Sequence, residues 1–216
     1  KTTGIVLSSK KSGEADVIST ILTRGYGKKK FIFKGLKKSK KRSLSVSEPG
    51  SIINLVYYYK ENKNLFNVNE SSISRHYSDI TKNLDKIYHL YYLLESVEKT
   101  TGYDSEDSRI FDLLISGIDA LAKNQNCINL TVFFILHLLR LQGILPNIHS
   151  CRTCGSSDFQ EFSLEVHDLS LTCENCKKSN IMLNRSAVDF IKTSFANKFN
   201  SINHSDFCKK NNLDLL

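Results

Sequence analysis

Four cysteines in two pairs, Cys151-Arg152-Thr153-Cys154 and Cys173-Glu174-Asn175-Cys176, are the side chains of this sequence with the most specific chemical spacing. Eighteen residues separate the pairs, which matches the pattern of a four-thiolate zinc site. Two residues between cysteines let one tight turn aim both sulfurs at a common point, and two such turns complete a tetrahedron. Gly155 suits the sharp backbone turn after the second thiolate. Four thiolates close the coordination sphere and leave no position for a reacting water, so the expected cofactor is structural Zn2+ and not a catalytic ion. The same spacing also suits two disulfides or four free thiols. His149 and His167 lie nearby in sequence, as substitute ligands or as flanking polar residues.

A second chemistry is written in charge. The formal net charge is +8, yet residues 1–42 hold 13 Lys/Arg against Glu14 and Asp16, which makes +11. The remaining 17 basic and 20 acidic residues sum to −3. Arg24, Lys28, Lys29, Lys30, Lys34, Lys37, Lys38, Lys40, Lys41 and Arg42 fall in a stretch without Asp or Glu. Charge runs are often only solvated tails. Phe31, Ile32, Phe33 and Leu36 are interleaved with this one, which points instead to a basic strand and loop of a folded domain. Such a surface neutralises phosphates and releases counterions, giving sequence-independent, salt-sensitive affinity for nucleic acid. Tyr26, in a glycine-flanked loop, is the candidate for base stacking; period-two alternation places Phe31 and Phe33 on one face, expected in the core.

These groups need elements to hold them. Of 216 residues, 40% are apolar and 24% charged, the balance of a water-soluble globular chain with room for one large or two small domains. No apolar run reaches membrane-span length, and no signal-peptide pattern opens the chain. Cysteine usage fits a reducing cytoplasm; Cys127 and Cys208 belong to no motif, and a disulfide between them stays open at this level. Residues 2–9, 17–23, 30–34, 52–59 and 65–73 read as strands separated by Gly13, Arg24-Gly25-Tyr26-Gly27, the basic loop with Glu48-Pro49-Gly50, and a polar turn at 60–64. Five strands at this spacing predict a small antiparallel barrel over residues 1–77.

Beyond residue 78 the apolar period lengthens to that of a helix. Leu84, Ile87, Tyr88, Tyr91, Leu94 and Val97 form one stripe, and Ile110, Phe111, Leu114, Ile115, Ile118 and Leu121 a second behind an Asp107 or Ser108 cap. Leu130, Phe133, Phe134, His137, Leu138 and Leu141 form a third, closed by Gly143 and Pro146. His137 on that apolar face is expected as a hydrogen-bonded core histidine. Asn184 or Ser186 caps a last helix with Val188, Ile191, Phe195 and Phe199. The expected class is therefore α+β and multidomain: a barrel, then a helical domain over 78–216 with the four-cysteine zinc module inserted at 149–178.

Several of these segments together resemble the bacterial RecO recombination mediators. They are Gly4-Ile5-Val6-Leu7, then Gly13-Glu14-Ala15-Asp16-Val17-Ile18, then Leu22-Thr23-Arg24-Gly25-Tyr26-Gly27, with Lys34-Gly35 leading into lysines. Leu136-His137-Leu138-Leu139-Arg140-Leu141-Gln142-Gly143 and the paired cysteines follow in the same order. The resemblance runs from about Thr3 to Cys176 and is weak after Lys178. It implies an OB-fold barrel that binds single- and double-stranded DNA and anneals complementary strands. It further implies RecR and the C-terminal tail of the single-stranded DNA-binding protein SSB as partners, with RecA loaded onto SSB-coated strands. Arg140 or the Lys192 to Lys198 region would supply the cation that such an acidic tail seeks.

No phosphate-binding loop of the Walker type and no nucleophile-base motif stands out, so no catalytic residue is expected. Two other readings use the same residues. An RNA-binding OB-fold zinc protein shares the charge and the barrel, and a structural adaptor leaves the lysines merely solvated. A zinc hydrolase would need an open metal position, which four cysteines do not supply.

Overall fold

The computed structural model describes residues 1–61, 63–103, 105–123, 127–145, 150–157, 161–165, 167, 170–177 and 181–196. The chain divides into two compact units, Lys1–Cys127 and Ile128–Leu216.

In the first unit β1 (Thr2–Ser12), β2 (Asp16–Thr23), β3 (Gly27–Phe33), β4 (Ile52–Tyr57) and β5 (Leu65–Arg75) close into an OB-like barrel in the order β1-β2-β3-β5-β4. All neighbours are antiparallel except β3 and β5, which run parallel through Lys30–Leu65 to Ile32–Asn67. Alternation decides what fills it: Val17 and Ile21, Phe31 and Phe33, Ile53 and Leu55, and Phe66 and Val68 share one buried core. Phe31 and Phe33 are fully buried there, each worth about 1.5–3 kcal/mol of apolar transfer.

β3 begins at Gly27 rather than Lys30, so Lys28 and Lys29 belong to the strand and pair with Leu22 and Ile21 of β2. The basic segment that follows is also folded. One-turn 3-10 helices at Leu36–Lys38 and Leu44–Ser47 send Leu36 and Val46 into the barrel core. The Gly35 N–H donates to Asp16 Oδ1 at 2.7 Å, and the Lys37 N–H to the Ala15 carbonyl at 3.0 Å. Two apolar plugs and a set of hydrogen bonds thus hold a lysine-rich strap across the barrel.

Three helices complete this unit: α1 (Ser78–Thr81), α2 (Leu84–Thr100) and α3 (Ser108–Lys123). Asn83 caps α2, its Oδ1 accepting from the Lys86 N–H at 3.2 Å. Gly50, at φ 87°, lets α2 sit close to the barrel, because a Cβ there would lie 2.9 Å from Leu90 Cδ2. The buried face of α2 differs from the expected stripe. Leu90, Leu93, Leu94 and Val97 are buried, whereas Leu84, Tyr88 and Tyr91 are exposed. Apolar residues occupy two faces of this helix, and tyrosine tolerates water at its hydroxyl end. Lys86 takes the buried position instead, its stem packed and its Nζ donating to the Ala122 carbonyl at 2.7 Å near the end of α3. Asp119 on α3 ties down the end of β5, accepting from Tyr77 Oη at 2.7 Å and from Arg75 at 3.1 Å.

The second unit takes nearly all of α4 (Cys127–Leu141), a sheet of β6 (Glu161–Glu165), β7 (Ser170–Cys173) and β8 (Met182–Asn184) ordered β7-β6-β8, and α5 (Arg185–Ala196). Phe162, Leu171 and Val188 form one small buried cluster in it, with Leu145, Leu164, Leu183, Ile191 and Phe195 against it. Asn184 is the α5 cap, accepting from the Ala187 N–H at 2.9 Å. His137 is buried, with Nε2 2.9 Å from the Ser194 carbonyl, so it is the core histidine expected. Cys127 is buried at the start of α4. Pro146, His149, Phe199 and Cys208 lie outside the described residues. Among the described residues no helix is long and apolar enough to cross a membrane.

Candidate metal centre and nucleic-acid interface

Two knuckles bring the cysteine pairs together. In the first, the Gly155 N–H donates to the Cys151 carbonyl at 2.9 Å, and the Cys151 N–H to the Ser156 carbonyl at 2.8 Å. Gly155 holds φ 75°, the left-handed conformation this turn needs. The second knuckle grows from the end of β7, where the Cys176 N–H donates to the Cys173 carbonyl at 3.0 Å. The Arg152 N–H reaches the Leu171 carbonyl at 3.0 Å and clips one knuckle to the strand that carries the other.

The four Sγ atoms all lie within 4.8 Å of one another, with Cys154 and Cys173 at 3.8 Å. A tetrahedral ion with metal–sulfur bonds of about 2.3 Å requires sulfurs about 3.8 Å apart. The cluster could therefore hold a metal ion with little rearrangement. Its electrostatics favour a cation. Burial pushes the Cys151 thiol up, but N–H groups of Cys154, Cys173 and Thr153 outweigh it and bring it down to about 6. Cys176 is pushed up to about 12, chiefly by sharing a hydrogen bond with Cys173, and also by burial and the neighbouring thiols. Thiols this close cannot all ionise unaided, and a divalent ion would remove that conflict. His167 is exposed, outside the cluster of four.

The basic residues divide into two groups. Lys30, Lys34, Lys38, Lys40 and Lys41 are exposed along the end of β3 and the strap. Lys37 and Arg42 are half-buried; Lys37 Nζ donates to the Gly13 carbonyl at 3.1 Å, and Arg42 donates to the Lys34 carbonyl, anchoring the strap. Lys38 pairs with Glu14 at 2.9 Å and Arg24 with Asp112 at 2.6 Å, both in the open, where such pairs contribute roughly 0–1 kcal/mol.

Lys28 and Lys29 are only 5% and 8% exposed. Lys28 Nζ donates to the Glu98 carbonyl in the last turn of α2 and lies 4.6 Å from the Tyr103 ring centre. Burial, more than the nearby charge of Lys30 and against the pull of Glu98, lowers its pKa. Lys29 Nζ lies over Phe66 and Tyr59, 5.5 and 5.9 Å from their centres. Tyr26 is 48% exposed in its loop.

Tyr59, Lys63, Phe66 and Tyr103 belong to no sequence motif, yet the structure gathers them around Lys28 to Lys30. Three consecutive tyrosines at 57–59, followed by Lys60 and Lys63, were the available signal.

An OB-like barrel bearing a lysine-rich strap, followed by helices and a four-thiol cluster, defines a barrel protein with a helical extension that carries a cysteine cluster. Comparison with known families agrees in order and extent. Residues 1–77 match "Recombination protein O N terminal" and residues 81–208 match "Recombination protein O C terminal". The chain belongs to the RecO family of DNA repair proteins. Among its relatives, "DNA repair protein RecO" of Exiguobacterium sibiricum is 28% identical over 173 residues, covering 80% of this chain and 68% of that protein. Those of Alkaliphilus metalliredigens and Caldanaerobacter subterraneus are 28% and 26% identical, covering 82% and 88% of this chain and 71% and 78% of theirs.

Proposed function

We propose that this protein is a non-enzymatic recombination mediator of the cytoplasm and nucleoid. It binds single- and double-stranded DNA, anneals complementary strands, and helps load RecA where SSB coats the DNA. The observation that carries this reading is the lysine strap: exposed cations held in place by Leu36 and Val46. A mobile tail would lose entropy on binding, whereas a strap fixed to a barrel presents its charges already arranged.

Lys30, Lys34, Lys38, Lys40 and Lys41 lead the contacts with phosphate, supported by Arg24, Lys37 and Arg42, with Lys28 and Lys29 shaping the barrel rim beside them. Annealing needs no covalent step. Screening the repulsion between two strands while holding each loosely suffices. In the second unit, Cys151, Cys154, Cys173 and Cys176 hold a structural Zn2+ that fixes the loops between α4 and α5. RecR and the SSB tail are the protein partners. Arg140, which donates to the Phe195 carbonyl at 2.7 Å and stacks 5.7 Å from its ring, offers a cation beside an apolar ring for an acidic tail.

The test is annealing of SSB-coated complementary strands. The protein is expected to accelerate it, and acceleration is expected to fall when the strap lysines become alanine. Acceleration that survives their loss removes the strap from the mechanism.

A further inference from the structure

At one end of the barrel, aromatic rings and lysines meet in a pocket of about 200 Å3 that neither the strap nor the thiol cluster uses. Lys28, Lys29 and Lys30 from β3, Lys63 from the β4–β5 turn, and Phe66 and Tyr103 line it. Tyr103 arrives from the segment between α2 and α3 and bridges to Lys28 backbone to backbone. Its side chain remains 53% exposed although Lys28 and Lys30 lie 4.6 and 5.4 Å from the ring centre. Beside the pocket, Tyr59 stacks on Phe66 at 5.7 Å and 13° while staying 65% exposed. Phe66 is in turn packed by Phe31 and Tyr57.

This arrangement is costly for a surface that only meets water. Tyrosines held open beside several ammonium groups leave both apolar ring area and like charges exposed. A polyanion with flat, unstacked rings satisfies both at once. Duplex DNA presents phosphates but keeps its bases stacked inside, so it answers only the lysines. We propose that this rim is the subsite that reads single-stranded DNA: unpaired bases stack on Tyr59 and Tyr103, and the connecting phosphate sits between them on Lys30 and Lys63. Phe66 fixes the plane of Tyr59, and Lys28 fixes Tyr103 by holding the end of α2. Base stacking is tolerant of sequence, so the subsite distinguishes single strand from duplex without selecting a base.

The inference rests on the DNA-binding reading above, and the experiment separates the two. These 216 residues contain no tryptophan, so Tyr59→Trp and Tyr103→Trp each install a sole indole in this chain. Titration with a fluorescein-labelled thymidine oligonucleotide is expected to quench each indole with the midpoint seen by anisotropy. The double variant Tyr59→Ala/Tyr103→Ala is expected to weaken single-strand binding about 25-fold or more, stacking on each ring contributing about fivefold or more. Binding of a duplex of equal length stays within about twofold. Full anisotropy change with no quenching in either indole variant overturns the subsite while leaving DNA binding intact. Equal weakening of single strand and duplex in the alanine variant overturns it as well. If the wild-type protein binds neither DNA, the DNA-binding reading falls and the subsite with it.

Discussion

The lysine strap of the barrel and the thiol cluster of the second unit both concentrate like groups, but in opposite geometries. The strap spreads Lys34, Lys38, Lys40 and Lys41 over an exposed surface, with Leu36 and Val46 as its apolar anchors in the barrel core. The cluster draws four sulfurs within 4.8 Å of one another, with Cys151 and Cys173 buried. A spread of cations fits a long polyanion whose position along the surface is not critical, and each contact contributes a modest, additive share. A convergent set fits one small cation, and its members act together because the coordination sphere is complete or it is not. Losing one group should therefore be graded in the first region and all-or-none in the second.

The largest expected effect is in the cluster. Cys173→Ser should take bound zinc from near one equivalent to near zero and loosen the sheet that Cys173 terminates. Metal analysis together with hydrogen exchange over 150–176 checks this. Retention of more than half the metal would mean that the cluster is not acting as one unit.

Next comes the strap. Replacing Lys37, Lys38, Lys40, Lys41 and Arg42 by alanine should lower the slope of log affinity against log salt by about 2 to 4, since each phosphate contact contributes about 0.7 to 0.9. Titrations between about 50 and 200 mM salt read it. Single replacements should each give a fraction of that change, and one that abolished binding would contradict the graded picture.

A smaller effect tests the joint between barrel and helices. Burial, then the hydrogen bond to Asp119, raises the Tyr77 pKa from its ordinary value to about 12. The folded state thus favours the protonated phenol. Its contribution to stability is complete below an unfolded pKa of about 10 and is lost as pH rises from there through about 12. Thermal melts across that window should show an alkaline loss that Tyr77→Phe reduces. The smallest change concerns the Glu14–Lys38 pair. Glu14→Gln removes a competing anion from the strap and should raise DNA affinity by no more than about threefold at low salt.

These contrasts were unequally legible in the sequence. Each thiol knuckle depends on local spacing that can be read directly, whereas the closeness of all four sulfurs also uses the Arg152–Leu171 clip between the knuckles. The barrel was also readable, because Val17 and Ile21 or Phe31 and Phe33 alternate within single strands. What lay beyond reach depended on distant partners. Lys28 and Lys29 look like Lys30 in a list of charges. The Glu98 carbonyl and the rings of Phe66 and Tyr59 set the inner pair apart from the outer lysine. The face of α2 was misassigned for a similar reason: two apolar faces compete, and the barrel contact at Gly50 and Leu90 chooses between them. The β6–β8 sheet escaped because its strands are short and gain their hydrophobic partners, Val188 and Ile191, from α5.

The division of labour itself is tested most directly by measuring single-strand affinity and its salt slope before and after metal removal, with circular dichroism to follow the fold. The lysine surface should keep its affinity within about twofold and its slope unchanged, because its anchors lie in the barrel core. Loss of DNA binding on metal removal, with the barrel still folded, would contradict the account.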